Sequence, residues 1–249
     1  MYTRNWSSGK TNIQIFFKNM VMKTIITTLL LLLCTCSYAQ YTTKDAMARV
    51  KVQNPPFDDT KISSTILGQG IEVEDGELSR KVYSNAQLTE WWDMKECPDF
   101  SYYCMSQIDN PSHQNNYFLI SLNDAGDFWT HILASVDPDG NIDDCIDARV
   151  AGCVFLNADC RVAPIMQYRI AANGDVIISR IVPTSSTSIP LGDLKDFHDH
   201  RQDTTYRLDQ NGKFQVVDVV KFIPQLYTAH MLSSKEYRIW NGNETPAQQ

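Results

Sequence analysis

Beyond Ala39 the chain has no apolar run long enough to cross a bilayer; stretches such as Phe118 to Leu122 are of strand length, so no transmembrane span is expected. Cysteines are few and never spaced C-x2-C, which leaves zinc without its usual ligand pattern. There is no Gly-x-Ser-x-Gly elbow, and Cys145 has no histidine near it in sequence, so nucleophilic catalysis lacks a signature. No cofactor motif is present. Basic residues are also in deficit, 22 against 29 acidic ones. Four of the basic residues, Arg4, Lys10, Lys18 and Lys23, fall in the first 39 residues, which hold no acid. The remainder carries 18 basic and 29 acidic side chains, a balance of −11. Such a surface repels phosphate backbones and anionic lipid, so nucleic acid is not an expected partner.

What the N-terminus does have is the pattern of an export signal. Lys23 supplies positive charge, Ile25 to Leu33 an apolar stretch, and Ser37-Tyr38-Ala39 a small-residue cleavage site, giving a mature start at Gln40 and a secreted or periplasmic protein. Met22 is itself a suitable initiator, so either Met1 or Met22 begins the signal. A lipid anchor on Cys34 or Cys36 is the alternative, although Leu33 and Thr35 immediately before them suit lipoprotein processing poorly.

Four stretches share one punctuation: Asn123 to Phe128 around Gly126, Asp137 to Ile142 around Gly140, Ala171 to Val176 around Gly174, and Asp209 to Phe214 around Gly212. Glycine helped by Asn or Asp between β-branched runs marks hairpins whose backbone takes positive φ. The chain from 100 to 249 is therefore expected to be mainly β, an antiparallel meander forming a sandwich, barrel or propeller-like sheet. Expected strands cover 117–122, 127–136, 141–150, 153–157, 165–171, 175–182, 204–209 and 213–222. The glycines are unevenly spaced, so a propeller of uniform blades is not implied. Residues 40–99 read as a mixed lead-in with one or two short helices, one at 44–52 and a second at 85–96. Ser84 and Gln87 form a capping box for the second, and Leu88, Trp91 and Trp92 share one face for burial.

The hairpin text Ser135 to Asp143 and Tyr206 to Phe214, behind a signal ending Tyr38-Ala39-Gln40, resembles that of secreted, β-hairpin-rich proteins of Gram-negative anaerobes. The resemblance covers roughly residues 117–217 and implies an exported β protein; that family has no assigned activity or site to carry over.

Five cysteines follow Ala39, and in an oxidising compartment they read first as half-cystines. The equal spacing of Cys97 to Cys104 and Cys153 to Cys160 suggests two local disulfides that leave Cys145 over; Cys145 with Cys153 is the alternative.

The candidate site lies in the long connection from Val182 to Thr204, a length that in a compact β domain points to function or mobility. It contains Asp196, His198, Asp199, His200 and Asp203. In an extended segment His198 and His200 point the same way, and with Asp203 they would form a metal set for a hydrolase. However, Lys195 and Arg201 oppose a cation, and Asp203 is misplaced for the His-x-His-x-Asp-His pattern, so a solvated polar loop is the simpler reading. Asp139, Asp143, Asp144 and Asp147 suggest weak calcium binding, but Ile142 and Ala148 occupy positions where an EF-hand loop needs Gly and Glu. His131 reads as a hydrogen-bonded strand residue. Three functions follow: a non-catalytic binding protein for another protein or an envelope component, favoured here; a metal-dependent hydrolase; and a glycan-binding module using Tyr102, Tyr103 or Trp129.

Overall fold

The structure, a computed structural model, describes residues 41–58, 70–74, 76–84, 101–123, 128–152, 165–181, 196–233, 237–241 and 246–247. By internal contact the chain divides into a unit of residues 1–40 and a compact unit beginning at Tyr41, which is the one described here.

The expected hairpins form. Strand β4 (Ser101–Ile108) pairs with β5 (Asn116–Asn123), which pairs with β6 (Phe128–Val136) and then β7 (Ile142–Gly152), all antiparallel. Two short lead-in strands share the other edge of β4: β1 (Val52–Gln53), parallel, and β3 (Ile71–Val73), antiparallel. A second sheet runs β12 (Phe214–Lys221), β11 (Gln202–Leu208), β9 (Val176–Ile181), β8 (Ile165–Ile170) and β2 (Phe57–Asp58), again antiparallel throughout. A small third sheet joins β10 (Phe197–Asp199) to β13 (Gln225–Tyr227). The lead-in thus supplies strands to both large sheets.

Alternation along the strands builds two apolar layers from one sheet. In β5, Tyr117 and Leu119 face the second sheet, where they meet Tyr168, Ile170, Val176, Ile178 and Phe214. Phe118, Ile120 and Leu122 face the opposite way, toward Ala46 of α1 (Thr43–Met47) and Leu78 and Val82 of α2 (Gly76–Ser84). The first sheet is therefore the middle of three layers, and the two large sheets pack as a sandwich; no closed barrel forms among the described residues. Each fully buried Leu, Ile or Phe here contributes roughly 1.5–3 kcal/mol of transfer free energy.

Short helices close the outer layer. Thr42 caps α1 in a capping box with Asp45, whose carboxyl is held below its usual value by the Thr42 backbone and hydroxyl. In α2, Leu78 and Val82 fall four apart on the buried face. Within α2 the Ser84 hydroxyl donates to the Lys81 carbonyl; its expected capping partner Gln87 lies outside the described residues. The expected helix at 85–96, with Trp91 and Trp92, lies outside the described residues, as does the strand at 153–157. Strand β4 was not expected, because no turn glycine precedes it. The described remainder of the C-terminal region adds α3 (Ala229–Ser233).

Candidate functional site

Three described hairpin tips share one construction. In each, the glycine amide donates to the carbonyl three residues back, and a second bond closes the five-residue turn: Asp137 N to Asn141 O at 3.0 Å, Ala171 N to Asp175 O at 2.8 Å, Asp209 N to Lys213 O at 2.9 Å. Gly140, Gly174 and Gly212 have φ of 91°, 89° and 72°, as the sequence required. Asp137 Oδ1 accepts from the Asp139 and Asn141 amides, and Asp209 Oδ1 does the same from Asn211 and Lys213. Burial pushes the Asp137 carboxyl up, but bonds from Asn141, Asp139 and Gly140 outweigh it and hold the group below its usual value. The Lys213 and Asn211 amides lower Asp209 likewise.

The crests of these tips are exposed, but the flanks are tied to neighbouring elements. Tyr117 donates from its hydroxyl to the Gly174 carbonyl at 2.8 Å and accepts from Asn110 Nδ2 at 3.0 Å, and burial raises its pKa well above the ordinary phenol value. Ser112 donates to the Asn173 carbonyl, and Asn115 Nδ2 donates to both Ser135 Oγ and Asp143 Oδ2. Arg207 grips Asp175 through two bonds of 2.8 and 2.7 Å, which lower the Asp175 carboxyl against the opposing effect of burial. The end of the molecule that the sequence offers as a row of loops is a bonded network.

The His/Asp segment is dispersed in the same way. Asp196 Oδ1 accepts from the Ala229 amide at the start of α3, at 3.0 Å. His198 is exposed in β10 opposite Leu226, and His200 is half-exposed with its Nδ1 3.0 Å from Asp199 Oδ1. Asp203 is buried in β11 between two guanidinium groups, Arg169 Nη2 at 3.1 Å and Arg201 Nε at 2.9 Å. Its carboxylate is already neutralised, so it does not complete a metal set with His198 and His200. Asp143 accepts from Asn115, Asp144 Oδ2 accepts from the Phe214 amide at 3.0 Å, and Asp147 is buried within β7, so the four acids proposed for calcium do not converge. Among the described residues no group of three or more His, Cys, Asp or Glu is arranged to hold a metal ion.

Arg201 belongs to a further cluster the sequence did not reveal. It donates to the Ile239 carbonyl at 2.7 Å and lies 3.8 Å from the Phe222 ring centre, and burial pushes its pKa down while the Asp203 charge opposes the shift. Gln167 holds the same segment from the next strand but one, accepting from the Ile239 amide at 2.8 Å and donating to the Tyr237 carbonyl. The cluster fastens residues 237–241 over the outer face of the second sheet.

Of the aromatics considered for glycans, Tyr102 is buried in the layer beneath the helices and cannot serve as an exposed platform; Tyr103 is partly exposed, and the side chain of Trp129 lies outside the described residues. His131 is buried in β6. Cys104 and Cys145 are buried in β4 and β7, with two strands between them, so they do not pair with each other. Cys97, Cys153 and Cys160, and with them both expected disulfides, fall outside the described residues.

One surface departs from this pattern. Strand β12 is bonded to β11 on one side, and of its eight residues only Phe214 is buried. Val216, Val217 and Val219 are 56%, 46% and 36% exposed, and Ile223 and Leu226 beyond the strand are exposed as well. Among the described residues, the outer edge of β12 meets main chain only at its end, where Pro246 bridges Phe222 and the Ala247 amide donates to the Lys221 carbonyl at 2.7 Å. Val-rich text at 213–222 was read as a strand, but nothing local marks it as an edge.

Compared with known proteins, the chain matches no family model, no curated protein and no solved structure.

Proposed function

We propose that this is an exported, non-catalytic binding protein whose partner is another protein or a cell-envelope component, met along the open edge of β12. The observation that carries the reading is the exposure of Val216, Val217 and Val219 on a strand that ends its sheet. Natural edge strands are usually blunted by charge, proline, a bulge or a covering loop; β12 carries Asp218, Lys221 and a bulge at Val217, yet among the described residues only Pro246 and Ala247 pair along its outer edge. Several described acids weighed for chemistry are engaged structurally: Asp203 by two arginines, Asp196 by a helix end, Asp137 and Asp209 by their own turns. Export is supported by the boundary between the two units, which falls beside the expected mature start at Gln40. Among the described residues no helix is long and apolar enough to cross a membrane.

A photo-crosslinking amino acid placed at 216, in cells exporting the full chain, should yield an adduct that the same group at Asn211 on a hairpin tip does not. Adducts of equal yield at both positions, or at neither, would remove the argument for this surface. Stoichiometric zinc in the purified protein, lost with His198→Ala and His200→Ala, would favour the hydrolase instead.

A further inference from the structure

Resting on that reading, we infer that the partner binds by strand addition: an extended segment of a different polypeptide pairs antiparallel with the outer edge of β12. Two bonds at the end of the strand fix which main-chain groups face outward. The Phe222 amide donates inward to the Arg201 carbonyl at 2.9 Å, whereas the Lys221 carbonyl accepts from Ala247 on the outer side at 2.7 Å. Alternation along an antiparallel strand then turns the amide and carbonyl of Val220 toward β11 and those of Val219 outward. The register supports this, since Val220 lies opposite Asp203 and Val219 opposite Thr204 with no irregularity before Asp218.

The edge therefore already holds an antiparallel segment, Pro246–Ala247, at one end, and the next outward groups along the strand belong to Val219. On the side of β12 that continues the core, Phe214, Val216 and Val219 stand opposite Leu208, Tyr206 and Thr204 of β11. An added strand with apolar residues at alternate positions would extend that face and cover the two exposed valines. A second copy of this chain suits the edge less well. The residues after Ala39 carry a balance of −11, so two such units repel each other.

The test uses the full exported chain and, as probe, a capped peptide copying Gln202 to Leu208, the sequence that pairs with β12 on its inner edge. At about 1 mM peptide the Val219 amide should exchange at least about twofold more slowly, while the Val220 amide stays unchanged. Val219→Pro, which removes an outward N–H that β11 does not use, should weaken peptide binding about tenfold; Val219→Thr, which keeps the N–H, should stay within about threefold. Should Val219→Pro fail to fold, the wild-type amide measurement decides alone. Peptide binding that perturbs the valine methyls without slowing the Val219 amide would overturn strand addition and leave the binding surface standing. Protection of Val219 that rises with protein concentration and no peptide would make the partner a second copy and also overturn it. No response to the peptide would overturn strand addition while an adduct at 216 leaves the binding surface standing; no response and no adduct would remove the inference and the proposed function together.

Discussion

Strands β6 and β12 are nearly equal in length and both rich in β-branched residues, yet they have opposite surroundings. In β6, Ile132, Ala134 and Val136 pack under the helices, and Leu133 packs against the second sheet, all with no exposure. In β12, Val216, Val217 and Val219 are among the most exposed apolar side chains described. Composition did not decide this difference; position in the sheet did. β6 has a neighbour on each side and a layer on each face, whereas β12 ends its sheet. The comparison teaches that burial demanded of β6 is a folding requirement, while the apolar text of β12 serves no described packing beyond Phe214 and is free for another purpose.

The sharpest way to break the comparison is truncation at both places. Leu133→Ala in β6 should cost about 2–5 kcal/mol through lost contacts and a cavity. Val216→Ala in β12 should stay within about 0.5 kcal/mol, as exposed substitutions do. Urea unfolding of the two variants measures both, and equal losses would mean that β12 is covered in solution.

Next in size are the glycines of the hairpin tips. Gly212→Val should cost at least roughly 1–2 kcal/mol, because positive φ is strained for a β-branched residue. A Cβ there would also meet Asn115 Nδ2, and at Gly174 it would meet Asn110 Oδ1. For that reason Gly174→Asn, mild on backbone grounds alone, should be nearly as costly as Gly174→Ala. Thermal melts of the three variants check the order.

Acid should act on the tips and spare the edge. The carboxyls of Asp137, Asp175 and Asp209 are depressed in the folded state, so their contribution is present above the ordinary carboxylate value of 3.8 and is lost as pH falls through the lower folded values. Tm should therefore drop steeply below about pH 4, and Asp175→Asn should flatten that drop by removing the partner of Arg207. An unchanged acid limb in Asp175→Asn would mean that this pair does not contribute.

Smallest of all should be the paired substitution of His198 and His200 by Ala, within about 0.5 kcal/mol and indifferent to zinc or chelator. Melting with and without Zn²⁺ or EDTA measures it.

Much of this fold could be read from local chemistry. The turns Asp137 to Asn141 and Asp209 to Lys213 announced themselves because their glycine and their Asp side chain act within five residues. The flanking strands followed, to within two residues at most ends. What stayed hidden is long-range. Nothing near Asp203 reveals that Arg169, 34 residues earlier, will neutralise it, so it was grouped with His198 and His200. Tyr102 looked available because its burial depends on Leu122 across the strand pair and on α2 above it. The lead-in seemed separate because its strands are two or three residues long, too short for a periodic signal, and find partners in β4 and β8 only through the fold. The edge status of β12 is likewise a property of the sheet order and not of the residues in it.

Amide exchange along β12 in the isolated protein tests the central claim most directly. If this strand is paired on one side only, the Val220 amide, turned toward β11, should be protected and the Val219 amide, turned outward, should exchange at close to the rate of an open chain. Equal, strong protection of both amides would show that the outer edge is already covered, and would contradict the assignment of β12 as the docking surface.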